Sequence, residues 1–226
     1  GRGDAYCGML NASYSTGLRK LNPYIPEYPV GDAQTVADMM NDFVPIARIV
    51  IGLSGLKIFS FGPRPQDFLA CNAPIKPQEA KGDSQVKAIA SDMSKELGTG
   101  NNYPDLVEKL ARYELALRKF MDDNLGASSY AVFANKCWPA FEKYFGHVPC
   151  FINGRLAREG IPVACEVDIY GALSEYMVIC ATENPPAILD INNSVPADMY
   201  EANKKAMKDY KLSDLFMGFH CGNASS

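Results

Sequence analysis

Little in this sequence offers the usual handles of a nucleic-acid, membrane or zinc protein. Its 226 residues hold 22 Lys plus Arg against 26 Asp plus Glu, a net charge of −4 with no dense basic cluster. That balance argues against nucleic acid as a partner. No apolar run approaches the about 20 residues needed to cross a bilayer; the longest candidate, 43–56, contains Pro45, Arg48 and Gly52. Histidine occurs only at His147 and His220, and no Cys-x-x-Cys pair exists, so the clustered ligands of a structural zinc site are missing. Gly52-Leu53-Ser54-Gly55 lacks both the G-x-G-x-x-G spacing and the lysine of a phosphate loop. Internal repeats and low-complexity tracts are absent as well.

What is there is the composition of a folded chain. Hydrophobic residues make up 47% and charged residues 21%, enough apolar content to bury a core and too much for general disorder. Seven cysteines are widely spaced, and Cys165 and Cys180 sit in apolar surroundings. Such thiols act as small hydrophobes and fit a reducing, cytoplasmic location better than a disulfide framework. The chain begins without Met and stops on small polar residues just after the apolar stretch 215–219. Both ends read as cuts in a longer polypeptide.

Periodicity places the elements. Val36, Met39, Met40, Phe43, Ile46, Ala47 and Val50 repeat at helical spacing, with Asp32 as N-cap and Pro45 expected to kink or interrupt the helix. A strand over 57–62 runs into a glycine turn, with a domain boundary near 52–56. The stretch 72–83 reads as loop or contracted linker. Helices are expected over 84–97 and 105–124, the second with Leu106, Leu110, Tyr113, Leu117 and Phe120 on one face. Further strands are expected at 130–134, 161–165, 187–191 and 215–219, with helices at 139–145, 169–180 and 196–208. Strands alternating with helices give an α/β class, with Rossmann-like, largely parallel sheets.

The densest local pattern is Ala164-Cys165-Glu166-Val167-Asp168-Ile169-Tyr170-Gly171-Ala172. Asp168 stands where a helix N-cap belongs. Glu166 has no such local duty, and it follows a strand where open α/β sheets place their ligands. Asp190 ends the strand expected at 187–191, and Asn192 and Asn193 follow with amides for hydrogen bonding. If the two strands are neighbours, Glu166 and Asp190 share a crevice, where they shift each other's pKa or share a cation. With His220 after the last strand, two carboxylates and an imidazole make a mixed oxygen and nitrogen set suited to Mn²⁺ or a related divalent ion. The competing reading is that these acids are caps and solvated loop charges. A cysteine nucleophile, Cys221 beside His220 or Cys150 near His147, is disfavoured because adjacent strand residues point to opposite faces.

Asn135-Lys136-Cys137-Trp138-Pro139, the segment from Pro162 through Ala172, and Leu189-Asp190-Ile191-Asn192-Asn193 resemble the L-fucose isomerase and L-arabinose isomerase superfamily, in particular its L-fucose isomerase-like branch. Gly62-Pro63-Arg64-Pro65 and Phe219-His220-Cys221-Gly222-Asn223 fit the same branch. The resemblance implies parts of two N-terminal α/β domains and the start of a third: 1–54 as the end of the first, 55–182 as the second, 183–226 as the truncated C-terminal domain. It further implies a Mn²⁺-dependent aldose–ketose isomerase working through an ene-diolate. Glu166 would be base and metal ligand, Asp190 the second carboxylate ligand with a share in catalysis, and His220 a third ligand. Trp138 would stack on the sugar, and Lys136, Arg64 and Asn192 would bind its hydroxyls. The partners implied are a small-molecule sugar and further copies of the same chain. The alternative from another class is a non-catalytic sugar-binding α/β module, which would need neither acid.

Overall fold

The structure, a computed structural model, describes residues 5–27, 31–61, 84–137 and 140–220. The chain divides into two compact units, Gly1–Val50 and Ile51–Ser226.

The first unit holds helix α1, Ala5–Leu18, and most of helix α2, Ala33–Ser54. The sequence gives little warning of α1, because Gly8, Gly17, Ser13, Ser15 and Thr16 are weak helix formers and none of its residues is buried. Asp32 caps α2 as expected, its Oδ1 accepting from the Thr35 amide at 2.8 Å. Pro45 does not interrupt this helix. The carbonyl that a proline leaves without a donor is four residues back, at the exposed Asn41, where water can satisfy it.

The second unit is built on a three-stranded parallel sheet in the order β1-β2-β3. These strands are β1 Leu56–Phe61, β2 Tyr130–Asn135 and the two-residue β3 Val163–Ala164. Between β1 and β2 run helices α3, Ser84–Leu97, and α4, Val107–Asn124. Between β2 and β3 run α5, Ala140–Phe145, and α6, Cys150–Arg158. Period-2 alternation divides the strand residues between two cores. Phe61, Phe133 and Val163 pack with Val86, Met93, Leu110, Leu117, Ile152 and Leu156 from the helices of one layer. The rings of Phe59 and Phe61 lie 5.4 and 5.6 Å from that of Phe133, and Phe120 of α4 meets both edge-on. On the other face Val132, Ala134 and Ala164 pack against Ala172 and Tyr176 of helix α7, Ile169–Thr182.

Beyond α7 the chain changes style. Strand β4, Asp190–Ser194, pairs antiparallel with β5, Phe216–Phe219, in a separate two-stranded sheet, and helix α8, Ala197–Asn203, lies between them in sequence. The strand expected at 187–191 therefore begins where its end was placed, and the helix expected to reach 208 gives way to turns after Asn203. Among the described residues no helix is long and apolar enough to cross a membrane, and the cysteines at 7, 137, 150, 165 and 180 are all free thiols. The linker expected at 72–83, Cys71 and Cys221 lie outside the described residues.

Among the described residues of α3, α4 and α6, the buried Arg155 and Glu114 are paired. Arg155 of α6 donates from Nε to Glu114 of α4 at 2.9 Å, from Nη2 to Asp92 at 2.9 Å, and from Nη1 to Glu96. Glu114 is itself buried and also takes Arg118. Arg155→Ala leaves Glu114 with one partner instead of two, and the expected loss is about 3 kcal/mol, the scale for breaking a buried pair from one side. Urea unfolding of the variant beside wild type measures it.

Candidate active site at the carboxyl edge of the sheet

Strand β2 is buried along nearly its whole length and stops at Asn135. The Asn135 backbone carbonyl accepts the Val167 amide at 3.2 Å, and its side-chain Nδ2 donates to the Tyr113 hydroxyl at 2.6 Å. This ties the turn after β3 to the rigid centre of the fold. Within the turn Glu166 and Val167 take φ values of 58° and 59°. Two consecutive side-chain-bearing residues in the left-handed region are unusual, more so for a β-branched valine, and such strain persists only where the surroundings enforce it. Asn135 fixes one end. At the other, Asp168 caps α7 as the sequence predicted, its Oδ1 accepting from the Gly171 amide at 2.8 Å. Gly171 admits no side chain, since a Cβ there would lie 2.4 Å from Asp168 Oδ2 and 2.7 Å from Ile188 Cδ1.

The result is an exposed Glu166 carboxylate that makes no hydrogen bond or ion pair among the described residues. Asp190 stands opposite Phe219 in the β4–β5 ladder, so its backbone and that of His220 are brought to the same end of the hairpin. The Asp190 side chain lies outside the described atoms. Because β3 and β4 belong to different sheets, the two acids do not come from neighbouring strands; the premise of adjacency is corrected. Asn192 falls at the register shift between Ile191 and Asn193, the extra residue of a bulge. Lys136 is buried just past β2, its backbone N–H donating to the Phe61 carbonyl at 3.2 Å. Trp138 and Arg64 lie outside the described residues. His147 is enclosed by the rings of Tyr113, Phe141 and Phe145, and burial holds its imidazole below the usual pKa.

Two groups here escaped the sequence reading. Glu175 of α7 is buried, with Oε2 lacking a hydrogen-bond partner among the described residues. Burial pushes its carboxyl up to about 7, the Ile188 amide and the nearby His220 pull the other way, and Asp168 adds to the rise. Its signal was a charged residue on the otherwise apolar stripe Ala172, Tyr176, Ile179. The second group is a set of thiols. Interaction with Cys165 and with the Glu166 amide lowers the pKa of Cys137, and interaction with Cys137 and Cys150 pushes that of Cys165 up.

Among the described residues no three His, Cys, Asp or Glu side chains form a ready metal cage. Glu166 follows the parallel sheet while the Asp190 and His220 backbones meet at one end of the β4–β5 ladder; carboxylate oxygen and imidazole nitrogen are donor types that Mn²⁺ takes.

Comparison with known proteins points the same way as the motifs. Residues 1–54 match the family model of the fucose/sulfoquinovose isomerase N-terminal domain. The chain is 33% identical over 85 residues to the sulfoquinovose isomerase of Alkalicoccus urumqiensis, covering 37% of this chain and 18% of that protein. It is 30% identical over 109 residues to that of Clostridium sp. (strain MSTE9), covering 48% of this chain and 21% of that one. The sulfoquinovose isomerase of Priestia megaterium is 26% identical over 78 residues, 34% of this chain and 17% of the relative. The chain thus spans about a fifth of the length of the curated relatives it matches.

Two outcomes test this geometry. Glu175 keeps its proton to about pH 7 when folded but releases it near pH 4.5 when unfolded, so its stabilisation is whole below the lower value and is lost as pH rises through the higher. The loss is on the order of 3 kcal/mol at about 1.4 kcal/mol per pKa unit. Urea unfolding across that range should show a shallower decline with pH in Glu175→Gln than in wild type. Glu166→Gly, which relieves one left-handed residue, should raise unfolding stability by about 0.5–1 kcal/mol after the entropy cost of glycine, read from the denaturation midpoint.

Proposed function

We propose that this chain carries part of the active site of an aldose–ketose isomerase acting on a sulfonated hexose such as sulfoquinovose. The observation that carries the reading is the strained turn that holds the Glu166 carboxylate out at the carboxyl edge of the parallel sheet. The likeness of residues 1–54 to the fucose/sulfoquinovose isomerase domain supports it, as do the names of the relatives, to which the choice of substrate is owed.

Glu166 is the base that carries the proton between C2 and C1 of the open-chain sugar, and its freedom from local hydrogen bonds leaves both oxygens for that work. Glu166, Asp190 and His220 would hold a divalent ion, Mn²⁺ by their donor chemistry. Once bound, that ion supplies the Lewis acidity that makes the C2 proton removable. Asp190 orients the sugar's vicinal oxygens. Lys136, Asn192, Trp138 and Arg64 contact the remaining hydroxyls and the ring, and the complete enzyme works as a homo-oligomer. Segments 1–54, 55–182 and 183–226 contribute to three successive domains.

The test uses the complete protein, sulfoquinovose and deuterated water. Wild type should form the ketose with solvent deuterium entering at the carbon that gains the proton, and EDTA should abolish this until Mn²⁺ is restored. Glu166→Gln should slow turnover by at least about 100-fold, as expected for loss of a general base. Turnover that survives both EDTA and Glu166→Gln would overturn the reading.

A further inference from the structure

Glu166 stands between two residues that are each held from the interior by an asparagine. After it, the Val167 amide donates to the Asn135 backbone carbonyl at 3.2 Å. Before it, the Cys165 sulfur accepts from Nδ2 of Asn153, on α6, at 3.5 Å. Asn135 and Asn153 are only 1% and 7% exposed, yet the Oδ1 of each lacks a hydrogen-bond partner among the described residues. A buried oxygen left unpaired costs the fold its desolvation. At a place that needed only packing, an apolar side chain would serve stability better than Asn153.

The two holds share one support. The Tyr113 hydroxyl of α4 accepts from Asn135 Nδ2 at 2.6 Å and steadies that residue. Glu114, the next residue of α4, accepts from Nε of Arg155 at 2.9 Å, and Arg155 lies two residues along α6 from Asn153. Arg155 also reaches Asp92 of α3 at 2.9 Å. Helices α4 and α6 are thus locked to each other, and Tyr113 and Asn153 act on the turn from fixed positions. Between them Glu166 and Val167 keep φ values of 58° and 59°, a backbone that relaxes unless its surroundings hold it.

We propose that Asn153 and the Tyr113–Asn135 pair are positioning residues for the Glu166 carboxylate, gripping its turn through Cys165 on one side and Val167 on the other. The inference rests on the reading of Glu166 as the base. These side chains act through the backbone of the turn, not on the sugar. A base must stand within hydrogen-bond reach of the proton it takes, and a small displacement of it lowers the rate while groups elsewhere still bind the substrate. Loss of either hold therefore lowers kcat and leaves KM.

Asn153→Leu keeps the side-chain volume and removes the unpaired Oδ1, so its urea midpoint should equal or exceed that of wild type. Hydrogen exchange at the Val167 amide should nonetheless accelerate by at least about tenfold, the signature of a local opening. In the complete protein, with sulfoquinovose and saturating Mn²⁺, kcat should fall about tenfold and KM stay within about twofold. Added to Glu166→Gln, the same change should cost no further turnover, because an absent base cannot be misplaced. Tyr113→Phe keeps the ring, deletes the hydroxyl and should repeat the exchange and kcat results. Unchanged Val167 exchange in either variant overturns that side of the grip. A kcat loss matched by a lower midpoint in Asn153→Leu, or full additivity with Glu166→Gln, overturns the positioning role. Wild type without turnover overturns the isomerase reading, while Val167 exchange still decides whether the turn is gripped, so the two fail separately.

Discussion

The two-sided burial of β2 is the constraint from which the rest follows. Val132 and Ala134 face α7 while Phe133 faces the helices of the opposite layer, and hydrogen bonds to β1 and β3 occupy both edges. A strand so held cannot slide, because a slip of one residue would exchange its two faces. Its last residue is therefore a fixed point. Asn135 spends its carbonyl on Val167 and its amide on Tyr113, and the next residue returns a bond to Phe61. A turn anchored there can hold Glu166 and Val167 in left-handed backbone that neither would choose alone.

The same economy governs charge. On the α4–α6 side the buried ions are matched: Arg155 spans Glu114, Asp92 and Glu96, while Arg118 spans Glu114 and Glu159. Pairs of this kind secure the position of α6 against α4 more than they add net stability. On the α7 side the buried Glu175 has an Oε2 without a hydrogen-bond partner among the described residues. A carboxyl that keeps its proton to near neutrality, beside His220, is left where the fold could have placed an alanine.

How much of this was legible depends on the range of the information. Helices α3 and α4 followed from their apolar repeats, and the caps Asp32 and Asp168 from side chains that bond a backbone three residues away. Helices α1 and α6 were missed for opposite reasons. The first buries nothing that would impose a pattern; the second carries Asn153 and Arg155 on its buried side, where periodicity looks for apolar residues. The convergence of Cys137, Cys150 and Cys165 was illegible because it is set by strand order and helix crossing. Of the candidate site, Glu166 was found from its lack of a local duty, while its exposure depends on backbone angles that no residue-type rule yields.

The proposed site draws its two halves from two different sheets, and this makes α7 the part on which their geometry turns. Glu166 belongs to the edge of the parallel sheet; Asp190 and His220 belong to the antiparallel hairpin. Helix α7 joins them and is fixed at both ends, by the Asp168 cap at its start and by the left-handed Glu183, whose amide bonds the Ile179 carbonyl at 2.8 Å, at its close. Its seat on the sheet is set by Ala172 and Tyr176. Its approach to the segment before β4 is set by the absence of a side chain at Gly171, where a Cβ would meet Ile188. The small residue at the first turn of α7 therefore sets how closely the segment leading to Asp190 approaches the helix. A mutation in α7 that never touches a sugar can change the separation of the groups that would.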